Sequence, residues 1–124
     1  MDAVAAATAG LARQYSINEV PASPQMPYGS HSAFLGRGDV ADLMGDEGIR
    51  WGQVVSQHFA RTLSAAEDAA EAFRSVIVGA SLNIAGFDTT PCAQPFDPAV
   101  VRDPDDAGVV GITQTFTFTA TKEA

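Results

Sequence analysis

Two histidines, one cysteine and a cluster of aspartates are the residues of this chain whose types could do chemistry. His31 and His58 lack any HxH, HExxH or CxxC context, so neither has a second metal ligand at a spacing that one helix or strand could bring alongside it. They read as surface or sheet-edge histidines. Cys92 stands alone, which leaves no intramolecular disulfide and no second thiolate for a zinc cluster. Its segment offers no basic neighbour or helix N-terminus to lower its pKa, so a packed, idle thiol is expected. Asp103, Asp105, Asp106 and Gly108 have the outline of a calcium loop, but the ligand spacing is wrong and no glutamate closes it; a solvated turn is the better reading. Arg37-Gly38-Asp39 spells an adhesion tripeptide that arises by chance in any glycine-rich loop. The segments GLARQ, GRGD and GVVG lack the spacing and the lysine or serine of a phosphate cradle. No catalytic residue, metal ligand or cofactor is assigned, and an enzyme is unsupported.

The elements that would position these residues follow from periodicity. Residues 2–14 carry Val4, Ala7 and Leu11 at helical spacing and predict a short N-terminal helix. Tyr15 to Val20 predicts a brief strand, after which Pro21, Pro24 and Pro27 force an extended connection. Tyr28 to Gly36 is the next strand. Ile49 to Phe59 alternates with Ile49, Trp51 and Val55 on one face and Arg50, Val54 and Ser56 on the other, and Trp51 is expected to anchor the core. Ser64 and Glu67 have capping-box spacing ahead of Ala66, Ala69, Ala70, Phe73, Val76, Ile77 and Ala80, which predict a helix to about Leu82 packed on Trp51 through Phe73. Glu67, Asp68, Glu71, Arg74 and Ser75 form its solvated side. Between Phe87 and Asp103 three prolines permit only short strand pieces, near Thr89 to Ala93 and Ala99 to Arg102. Pro104 to Gly108 is turn chemistry that folds Val100 to Arg102 back onto Val109 and beyond as a C-terminal hairpin. The expected fold is a single α+β domain over residues 1–124, an antiparallel sheet of about four to five strands with two helices on one face.

Composition narrows the function classes. A net charge of −8 and a pI near 4.4 disfavour wrapping around nucleic acid, because such binding draws on Lys and Arg against phosphates. A protein partner is expected, with DNA at most passing by. No stretch approaches the roughly 20 apolar residues of a membrane span, and Asp2 stands where a signal peptide would carry a base. A reducing cytoplasm fits the single cysteine.

Two segments stand out as contact surfaces. From Ile112 onward threonine takes every second position, so Thr113, Thr115, Thr117, Thr119 and Thr121 share one strand face while Ile112, Phe116, Phe118 and Ala120 share the other, interrupted by Gln114. This final strand is long enough to outrun its neighbours and present its hydroxyl face or free backbone groups to another chain. The loop Arg37 to Gly48 gathers three glycines with Asp39, Asp42, Asp46 and Glu47, and suits contact more than core.

The order of these segments resembles the tail terminator, or tail completion, proteins of long-tailed bacteriophages and phage-like particles. The resemblance is carried by an N-terminal helix and a "VP...PY" passage (Val20-Pro21 and Pro27-Tyr28). An acidic loop, an aromatic-centred strand, an alanine- and acid-rich helix and a "DPD..G" turn (Asp103-Pro104-Asp105 to Gly108) before a long alternating strand complete it. It implies a non-enzymatic virion protein at the tail-neck junction, assembled in the host cytoplasm. Such a protein forms a homo-oligomeric ring, commonly a hexamer, that stops polymerisation of the tail tube protein and joins a neck or head-completion protein. DNA passes through its lumen, and a ring of this kind needs a heterologous interface that closes on itself. Candidate interface residues are Asp39, Asp42, Asp46 and Glu47 with Thr113, Thr115, Thr117, Thr119 and Thr121. The alternatives are a neck adaptor or head-closure protein, a small ligand-binding domain, or an accessory subunit.

Overall fold

The computed structural model describes residues 3–11, 13–36, 49–102 and 108–123. In chain order these form α1 (Ala3–Ala7), β1 (Gln14–Ser16) running into a 3-10 turn (Ile17–Glu19), β2 (Tyr28–Leu35) and β3 (Ile49–Ala60). After these come α2 (Leu63–Ile77), β4 (Phe87–Thr89), β5 (Ala99–Arg102) and β6 (Val110–Lys122). The sheet order is β1-β2-β3-β6, with β4 and β5 both paired to the far side of β6. The fold is α+β as expected, though among the described residues the sheet has six strands and is mixed. β1 runs parallel to β2, and every other pair of strands is antiparallel. The final hairpin forms with Arg102 opposite Val110; its turn, residues 103–107, and the acidic loop Arg37 to Gly48 lie outside the described residues.

The two helices among the described residues cover one face. Val4 of α1 and Phe73 and Ile77 of α2 share a buried cluster with Val54, Phe116, Phe118 and Ala120 of the two central strands. Phe73 is the hub: its ring centroid lies 5.1 Å from that of His58, 5.7 Å from Phe116 and 6.1 Å from His31. The assignment of β6 holds residue by residue, with Ile112, Phe116, Phe118 and Ala120 buried against the helices. Gly52 is opposite Phe118, whose ring lies where a Cβ on Gly52 would stand, so glycine is required for this aromatic to cross β3.

Trp51 is not in this core. It is 70 % exposed, on the face of β3 away from the helices, because the inward positions of that strand are Gly52, Val54, Ser56, His58 and Ala60. Small and polar residues there leave room for Phe73, Phe116 and Phe118. The cap of α2 also differs from expectation. Thr62 is the N-cap, its hydroxyl accepting from the Ala65 N–H at 3.1 Å, so Ser64 falls inside the first turn and forms no capping box. The helix stops at Ile77 instead of Leu82, since Val78 turns extended to bridge Cys92 and Gly79 takes φ 85°. Leu82 is still buried, delivered by extended chain. The N-terminal helix ends at Ala7, where the Thr8 hydroxyl donates to the Val4 carbonyl (2.8 Å) and Gly10 follows. The next strand is shorter than Tyr15 to Val20 because the chain tightens into the 3-10 turn after Ser16.

Candidate functional site

The residues with chemical potential gather beneath α2, not at a surface. His31, Ser56 and Gln114 are in register across β2, β3 and β6, and all three point inward with His58. The expectation of surface or edge histidines is therefore overturned: His31 is 2 % and His58 1 % exposed. Gln14 donates to His31 Nδ1 (2.9 Å), leaving the ring proton on Nε2, 3.5 Å from Ser16 Oγ. His58 Nε2 donates to Ser56 Oγ (3.1 Å), which in turn donates to Gln114 Oε1 (3.4 Å). Gln114, the interruption in the apolar face of β6, thus has a partner for its inward side chain.

This geometry does not suit nucleophilic catalysis. Ser56 has no exposed surface for a substrate to reach, its hydroxyl being enclosed between His58 and Gln114. Burial, and secondarily the neighbouring His31, push His58 down to about 4, so it is neutral at physiological pH. Cys92 is buried, and burial raises its pKa, which keeps the thiol protonated and weakly nucleophilic. Among the described residues no three His, Cys, Asp or Glu side chains assemble at one point. The cluster is a bonded polar layer inside the core.

The opposite face of the sheet carries the threonines. Thr113, Thr115, Thr117 and Thr119 are half-buried there and Thr121 is exposed, opposite Gln57, Val55, Gln53, Trp51 and Ile49 of β3 respectively. Gln57 Nε2 donates to Thr113 Oγ1 at 3.4 Å, and Thr119 Oγ1 donates to Thr90 Oγ1 at 3.2 Å. The five threonines therefore share one face, while Asp39, Asp42, Asp46 and Glu47 lie outside the described residues.

Exposed apolar residues stand at both edges of the sheet, some on the threonine side and some on the helix side, which sequence reasoning missed. Beside β2 stand Ile17, Phe34 and Trp51; beside β5 stand Phe96, Val100 and Val101. At the β5 edge, Gly111 sits between Phe59 and Val101, whose side chains occupy the space a Cβ would need. A signal was present in the paired valines of a short, proline-flanked strand, since such a strand is an edge.

A scan against protein-family models finds no match, and a search of curated proteins finds none either. Among solved structures, a chain of the virion of a native gene transfer agent particle shares this fold. Its TM-score is 0.69 at 18 % identity, over 95 % of this chain and 84 % of that one.

Proposed function

We propose that this chain is a structural subunit of a phage-like virion and, within it, the tail terminator: a ring at the head-proximal end of the tail tube that stops tube growth and joins the neck. The supporting observation is a likeness of fold over nearly the whole chain to a component of a gene transfer agent virion. It agrees with the order of segments by which the sequence resembles tail terminators. A polar layer that is almost wholly buried, together with an outer face of hydroxyl and apolar side chains, suits assembly better than turnover.

Electron microscopy of particles carrying a labelled copy tests this reading, with density expected as a ring at the tail-neck joint. Density at any other place in the particle sinks it, and a position on the head side of the joint favours a neck adaptor. The acidic loop is assigned to partner contact or to the ring lining, where its carboxylates repel passing DNA phosphates over roughly 8 to 10 Å at physiological salt. Changing Asp39, Asp42 and Asp46 to Asn and Glu47 to Gln together is expected to leave the melting temperature nearly unchanged and to alter tail length or infectivity. Normal tails and normal infectivity from that variant would reduce the loop to a solvated connection.

A further inference from the structure

The two edges of the sheet are unlike, and each is open in a way the other can fill. β1 covers β2 only at Gly29, Ser30 and His31, and the chain then turns away through Ile17–Glu19. Among the described residues nothing pairs with the outward backbone edge of Ser32 to Leu35. Beside that edge lies a groove of about 670 Å³ on the helix side, where Ile17, Ala33, Leu35, Leu82 and Ile84 form an apolar wall and Glu19 stands with other polar residues at the turn after β1. On the sheet's other side, at the same edge, Phe34 stands 55 % exposed. β5 has the complementary pattern. Its Val100 is opposite inward-facing Ile112, which places it on the helix side, and Val101 is opposite Gly111, which places it on the outer side. Val100 is 57 % exposed, and among the described residues β5 pairs with β6 alone.

We propose that β5 of a second copy of this chain adds to the free edge of β2, Val100 seating in the groove beside Ile17 and Leu82 while Val101 packs against Phe34. Each edge offers an apolar side chain on each face, Ala33 and Leu35 with Phe34 on β2 and Val100 with Val101 on β5, beside the polar Ser32 and Arg102, so alternation within one continuous sheet matches side for side at these positions. Direction matches as well. β2, β3, β6 and β5 alternate in direction, so a rotation about an axis along the strands brings the neighbour's β5 antiparallel to β2. β5 lies level with β1 along the strands, and the free segment lies beyond β1, so the copies meet with the stagger that tilted strands produce in a closed barrel. Joining unlike edges is a heterologous contact, which generates a closed ring or a filament and never a lone symmetric dimer. This inference rests on the ring reading and names its interface.

The test uses assembled particles bearing Phe34→Cys and Val101→Cys in one chain. After mild oxidation and denaturation without reductant, a ladder of covalent multiples is expected, with at most a trace of dimer from either single variant; buried Cys92 stays out of the exchange. Particles whose ring is present by microscopy but whose chain runs as monomer overturn this interface and leave the ring reading standing. Absence of a ring overturns both. A second variant, Val100→Asp, places a charge in the groove and is expected to keep the melting temperature of the free chain while abolishing its incorporation. Normal incorporation of Val100→Asp overturns the proposal on its own.

Discussion

Phe73 touches three aromatic rings and has no exposed surface, whereas Trp51, the larger residue, is mostly in water. Phe73→Ala is expected to cost about 3 to 5 kcal/mol in urea unfolding, while Trp51→Ala stays within about 0.5 kcal/mol of wild type. A large loss at Trp51 would mean that its face is covered in the isolated chain. His58 carries a pH dependence whose sign is fixed by its burial. Its pKa lies at about 4 in the fold against 6.5 when unfolded, so the unfolded chain binds the extra proton in between. The contribution of His58 is fully present above its unfolded value, is lost as pH falls through that window and is constant below it, a loss on the order of 3 kcal/mol. His58→Gln is expected to flatten the fall in melting temperature between pH 7 and 5 relative to wild type. An unchanged slope would assign the acid sensitivity to other groups.

At the scale of elements, α2 offers a direct check of where its cap lies. Thr62→Ala removes the acceptor for the Ala65 N–H and is expected to cost about 1 kcal/mol; Ser64→Ala, one position into the helix, costs no more than a few tenths. The reverse ranking would restore the capping box at Ser64. β6 was readable from sequence because its two faces differ in kind, threonine against aromatic and aliphatic. β3 was readable as a strand but not in its orientation. Three of its bulky apolar residues, Ile49, Trp51 and Val55, face outward, and its inner face, Val54 apart, is built from Gly52, Ser56, His58 and Ala60, which admit the rings of its neighbours. Hydrophobicity selects the wrong side of such a strand. The same packing hid the histidine layer, since the partners of His31 and His58 come from β1, β3 and β6 and share no local spacing.

For the whole molecule, element order carried most of the architecture, because each strand after Tyr28 returns antiparallel to a neighbour already or soon to be made. The parallel edge pair β1-β2 left no trace, as three residues cannot declare a direction. The sheet also has its last strand in the middle. β6 joins β3, β4 and β5, with Ala60 opposite Val110 and Ile49 opposite Thr121. Until residues 110–122 exist, β3 has an open side, and neither β4 nor β5 has a strand to lie against. A chain cut before Val110 is therefore expected to show no cooperative melting by circular dichroism. In the full chain, pairing across so much intervening sequence places refolding in the millisecond-to-second range, long after α2 can form. A ribosome making this protein would thus hold an unfinished sheet until residues 110–122 have been made, and the sheet would close only in the step that follows.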